Sequence, residues 1–280
     1  MRWLGNNLET IRTDLPSFKN PPLVETVIGL QFSPIPGLTQ AHLGLLWQAL
    51  RHKLPKVSEA EWLPGRVEVF GEPPGLPLAL RVGPGRGKRL LMASDDDREM
   101  LQIQNGLIAF NWRRGGAGQY PRWRAVLGTF NELVDKFKQL LSTEGLRDAT
   151  VHQWEVVYVN HLLKGRDWAS PADWQVLVPG IVAPAPKLSL GKLESLDGSV
   201  HFVIPDKSAR VHVDFAHGFR AAKAAREELV SLQITARGEV RQPGDRACYL
   251  EGLELGHVAV VKTFCELTSP VAQKKWEREE

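Results

Sequence analysis

At 280 residues with 43% hydrophobic side chains, the chain can bury a large core and should be folded throughout. No apolar run approaches the roughly 18 residues of a bilayer span, and two cysteines, Cys248 and Cys265, are too few and wrongly spaced for a disulfide framework or a zinc site. The net charge of +3 is uneven: residues 1–147 carry 19 Lys/Arg against 14 Asp/Glu, giving +5, and residues 148–280 carry 16 against 18, giving −2. That excess is too dilute for the concentrated basic stripe that nucleic-acid binding usually needs. The early acids and the absence of a signal-length apolar stretch point to the cytoplasm.

Residues 1–19 read as an irregular arm, ended by Pro21-Pro22. A strand over 23–32 follows, with Val24, Thr26, Ile28, Leu30 and Phe32 toward a core and Glu25, Val27, Gly29 and Gln31 on the other face. Thr39 suits the N-cap of a helix to about residue 54, with Leu43, Leu46, Trp47 and Leu50 along one side. Four extended segments are expected at 66–71, 76–82, 89–93 and 100–112, the last interrupted at Asn105-Gly106 as by a bulge or tight turn. After the glycines of 115–118, Tyr120-Pro121 opens a long helix to about residue 141.

The second half repeats this order. A strand over 153–162 carries Trp154, Val156 and Tyr158 on one face, and Ser170-Pro171 opens a short helix through Trp174 and Leu177. Extended segments at 187–196, 200–204, 210–215 and 229–235 precede a final helix over 247–267. A shift of about 130 residues lays VETVIGLQF over WEVVYVNHL, so the agreement rests on element order rather than on identity. The expected fold is therefore α+β and pseudo-duplicated, after an arm over 1–19, with one unit over 20–147 and another over 148–280. Each unit reads strand, helix, four antiparallel strands, helix, as in the saddle of the TATA-binding protein or in a helix-grip unit.

The densest combination of planar cations and aromatics is Asn111, Trp112, Arg113, Arg114, Tyr120, Arg122, Trp123 and Arg124, a set able to stack on bases or hold carboxylate and phosphate groups. Its structural alternative is internal, with Trp112 and Trp123 packed under the long helix and Arg113 paired with Glu25. Arg86, Lys88 and Arg89 sit in a glycine-rich loop that could present charge to phosphate, but without Walker spacing. Asp95-Asp96-Asp97 with Glu99 lacks calcium-loop spacing. His201, His212, Asp214 and His217 form the densest imidazole and carboxylate group, yet nothing completes a metal or catalytic site around them. No metal or cofactor is called for.

The pattern IQNGLIAFNWRR, then YPRW, then Phe130, resembles an uncharacterised bacterial family of about this length, sporadically distributed among genomes. An IQ-x-Q…NWR…YP motif follows a PPLVE-type opening strand, here PPLVETVIGLQF at residues 21–32, and members close on a segment like FCELTSP, here residues 264–270. The resemblance covers about residues 20–276 and departs at Asn105-Gly106-Leu107, where members more often place charges. It implies no established activity and no catalytic residue; sporadic occurrence implies an accessory role such as defence or conflict between microbes.

The sequence therefore points to a non-enzymatic cytosolic recognition protein whose partner is another protein, with nine tryptophans available as interface anchors. The alternatives are a nucleic-acid binder using the basic first half, and a small-ligand binder or hydrolase with a pocket between sheet and long helix.

Overall fold

The computed structural model describes residues 15–65, 67–71, 87–115, 120–182, 189–205, 208–221 and 226–279. In chain order the elements are β1 (Ser17–Phe18), β2 (Leu23–Phe32), α1 (Gln40–Leu50), β3 (Lys56–Glu61), β4 (Lys88–Ala93), β5 (Glu99–Gln104), β6 (Leu107–Arg113) and α2 (Trp123–Thr143). Then come β7 (Val151–Leu163), the single-turn α3 (Trp174–Leu177), β8 (Asp197–Val203), β9 (Ala209–Ala221), β10 (Arg226–Glu239), α4 (Arg246–Leu267), α5 (Pro270–Lys275) and β11 (Arg278–Glu279).

The fold is mixed α+β. Nine strands form one antiparallel sheet in the order β3-β4-β5-β6-β2-β7-β10-β9-β8, while β1 pairs with β11. In each half the last strand of the meander returns to the strand that opened it: β6 pairs with β2, and β10 pairs with β7. β2 and β7 then pair with each other, Ile28 opposite Val156, so the sheet runs unbroken through the middle of the chain.

Period-2 alternation gives the sheet two unlike faces. One carries Thr26, Ile28, Leu30 and Phe32 of β2 and Trp154, Val156 and Tyr158 of β7, all buried. The apolar stripe of α2, with Val126, Phe130, Leu133, Val134 and Phe137, needs the same partner and lies on this face, where the Phe32 and Phe137 rings are 5.6 Å apart. α4 settles beside it over β7 and β10, closely enough that a Cβ at Gly256 would lie 2.7 Å from the Trp154 ring and 2.8 Å from Val156. Gly238, opposite Trp154 on β10, and Gly252 of α4 likewise leave the indole no room for a side chain of their own. Trp154 thus sits in a cage of three glycines, which is why this amphipathic helix carries glycine on its buried side.

Several expectations need correction. β3 has no apolar alternation in KVSEAE and is an edge strand paired only with β4. The expected interruption at Asn105-Gly106 is a tight turn, where Gly106 has φ +111°, and it folds 100–112 into two paired strands rather than one. Residues 67–71 join no strand of the sheet: Phe70-Gly71 is a turn, and Glu68 turns inward to partners on strands far along the chain. Among the described residues the second half has three meander strands rather than four: residues 189–196 form no strand. The segment 76–82 and residues 1–14 of the arm lie outside the described residues.

Candidate functional site

Strand alternation divides the expected cluster between the two faces. Trp112, Tyr120 and Trp123 lie on the helix side. The Tyr120 hydroxyl is 2.8 Å from that of Tyr158, which is 3.0 Å from Nδ1 of His257. Trp123 stacks flat on His257 at 4.5 Å and donates its indole N–H to Glu254 at 3.0 Å. Burial pushes both phenols above their ordinary range, so they remain protonated hydrogen-bonding groups that fasten the start of α2 to β7 and α4. This arrangement is a clasp within the core.

Asn111 and Arg113 point to the opposite face. There the Gln102 amide donates to Asn111 at 2.5 Å, Asn111 donates to Glu25 at 2.7 Å, and Arg113 donates to the same carboxylate oxygen at 2.8 Å. Arg122 pairs with Glu279 at 3.6 Å, and Arg114 is half-buried just past β6. Lys88 and Arg89 open β4 at the β5–β6 turn end of the sheet, the end away from Arg113. Arg86 and the glycines 116–118 lie outside the described residues.

Farther along this polar face lies a cluster that no short stretch of sequence displays. Gln104 of β5, Gln31 of β2 and Gln153 of β7 are buried, followed by Arg237 of β10 and Arg210 of β9. Residues 62–65 and 67–71 run across them. Gln104 accepts from the Leu63 N–H at 2.9 Å and donates to its carbonyl at 2.7 Å, while Gln153 accepts from the Glu68 N–H at 3.0 Å. The Glu68 carboxylate, 5% exposed, accepts from Arg210 and Arg237 at 2.7 Å each and lies 2.6 Å from Nε2 of His212. Arg237 also donates to Glu155 at 2.6 Å.

Burial opposes the charge on Glu68, but the hydrogen bond and charge of His212, together with Arg237, outweigh it and hold the carboxyl at about 2. Burial likewise works against the Arg237 cation, and Glu155 and Glu68 reverse that effect to raise its pKa. Glu68 and Arg237 therefore keep their charges at ordinary pH, with the Arg210 guanidinium and the His212 imidazole bonded to the same carboxylate.

No protein-family model matches the chain. No curated protein sequence matches it either.

His212 and Asp214 share one sheet face at i, i+2, as the sequence implies, and His201 Nδ1 lies 3.0 Å from His212 Nδ1. His217 turns to the other face, between Trp168 and Trp174, with Ser195 at 3.3 Å and Glu228 at 3.2 Å from its two nitrogens. Lys164 takes the same Glu228 carboxylate at 2.7 Å. Among the described residues, no group of three or more His, Cys, Asp or Glu could hold a metal ion. Nor is any helix of the described residues long and apolar enough to cross a membrane.

The missed residues are Glu68, Arg210, Arg237, Gln31, Gln104 and Gln153. A usable signal was present for the glutamines. An outward strand face usually carries Lys, Glu or Thr, and uncharged amides at those positions suit burial against a backbone, because each can both donate and accept.

Proposed function

We propose that this chain is a non-enzymatic recognition protein that receives another protein on the polar face of its sheet. One observation carries the reading: α1, α2 and α4 all lie on the opposite face, while this one carries the exposed Arg113 guanidinium and the half-buried Gln102 and Glu25, held in place through the buried Asn111 amide. Polar groups held in place before binding lose little freedom on contact and set the register of a partner. Arg113 is neutralised by Glu25, and Lys88 and Arg89 stand at the other end of the sheet, so charge favours a protein over a nucleic acid.

The sheet is further read as two copies of one unit joined edge to edge in the manner of the TATA-binding-protein saddle. Support comes from the return of each meander to its own opening strand and from the long helix that follows each meander. The copies differ by one meander strand. The resemblance to a sporadically distributed bacterial family supports an accessory role, such as in defence or conflict between microbes.

Affinity capture from cells of the source organism tests this reading. One protein should be retained by the wild type and by Gln139→Arg on the outer side of α2, and reduced about ten-fold by Gln102→Arg, which puts an unpaired charge on the polar face. Equal retention by all three chains contradicts the reading. Captured nucleic acid whose retention falls steeply with salt replaces it with the nucleic-acid alternative.

A further inference from the structure

Residues 62–65 and 67–71 cross the polar face as a bound peptide would. Among the described residues the segment pairs with no strand. Glu68 is buried between Val67 and Val69, which are 64% and 53% exposed. Its hold comes instead from sheet side chains that reach its backbone: Gln104 bonds both polar groups of Leu63, Gln153 takes the N–H of Glu68, and Arg210 donates to the carbonyl of Val69 at 3.1 Å. Those bonds would form with any extended chain. The inward side chain is the one the trough selects, and Arg210, Arg237 and His212 select a carboxylate. Backbone bonds for affinity and a pocket for one side chain are the division of labour of extended-peptide recognition.

We propose that this trough is a peptide-binding site specific for an extended segment bearing one carboxylate side chain, that residues 62–71 occupy it as an internal stand-in, and that such a segment of a partner protein takes their place. The inference rests on the recognition reading above and names the chemistry of its partner. Charge makes the exchange like for like: Arg210 and Arg237 face Glu68 and Glu155, and a neutral occupant would leave a buried cation uncompensated. Among the described residues the segment joins no strand ladder, so its exchange for another segment leaves the sheet's own backbone pairing intact. As a tethered ligand it competes at an effective concentration on the order of millimolar, which sets a threshold that a weak or uncharged segment does not cross.

The test uses the full chain and a fluorescein-labelled peptide copying residues 62–71, whose only carboxylate side chain is the copy of Glu68, read by polarisation. Glu68→Gln keeps the shape of the internal segment and removes its charge. This variant should bind the peptide about ten-fold or more tighter than the wild type does, and by a similar factor tighter than it binds the same peptide with glutamine in place of its glutamate. Should Glu68→Gln not fold, Phe70→Ala provides the same comparison, because loss of the Phe70 ring, 5.5 Å from the Arg210 guanidinium, loosens the segment at its other end. Equal binding by wild type and variant, or a folded variant that does not distinguish the two peptides, overturns the inference. A partner captured by the wild type that the peptide does not displace overturns it too, and leaves the recognition reading standing. Peptide binding without any captured partner supports the trough and removes that reading.

Discussion

Replacing Trp154 by alanine should lower the unfolding free energy by about 3–5 kcal/mol, measured by urea denaturation at neutral pH. Trp154 is 2% exposed and ranks among the largest fully buried side chains. Its indole fills the space left by Gly238 in the sheet and by Gly252 and Gly256 in α4. Those glycines cannot close the hole: a strand and a helix fixed by their own backbone bonds do not collapse by the width of an indole. The loss therefore combines transferred area with a persistent cavity, which puts it at the upper end for a core truncation. A loss under about 1 kcal/mol would show that α4 moves in to fill the gap, and that the helix is not seated on the sheet as described.

The second large effect concerns acid. The Glu68 carboxyl titrates at about 2 in the folded chain against an ordinary value of 4.5. A carboxyl with a depressed folded value stabilises the fold fully above its unfolded pKa, and that contribution disappears as pH falls through the folded one. Between pH 5.5 and pH 2 the wild type should lose about 3 kcal/mol more stability than Glu68→Gln, which has no carboxyl to protonate there. Denaturation midpoints of the two chains across that range should converge as pH falls. Parallel curves would mean that Glu68 is not held by Arg210, Arg237 and His212. Acid should also release residues 62–71 from the trough, so amide hydrogen exchange in that segment should accelerate before the strands beneath it do.

The sequence made the strongly periodic elements legible. β2, β7 and the helices α1, α2 and α4 stand within a few residues of their expected bounds, because a buried apolar face leaves a pattern that outlasts local ambiguity. β3 left none, since an exposed edge strand has nothing to bury. The letters of residues 66–71 alternate as a strand's do, yet residues 67–71 join no sheet, because alternation in sequence does not say whether a segment finds a neighbouring strand to pair with. The partners of Glu68 stand 142 to 169 positions away, so only the folded sheet brings them together. The cluster around Asn111 and Trp112 illustrates the opposite error. Neighbours on a strand face opposite ways, so proximity in sequence assembled a site that the pleat takes apart, sending Asn111 and Arg113 to the polar face and Trp112 into the core.

The most direct measurement of the central claim uses photo-crosslinking side chains placed at Gln102 and Gln233, on β5 and β10 of the polar face, and at Gln139 on the outer side of α2. Irradiated in cells of the source organism, the two sheet positions should join to the same partner protein and the helix position should not. Crosslinks from Gln139 alone, or different adducts from Gln102 and Gln233, would contradict the assignment of the sheet's polar face as the surface on which this protein holds its partner.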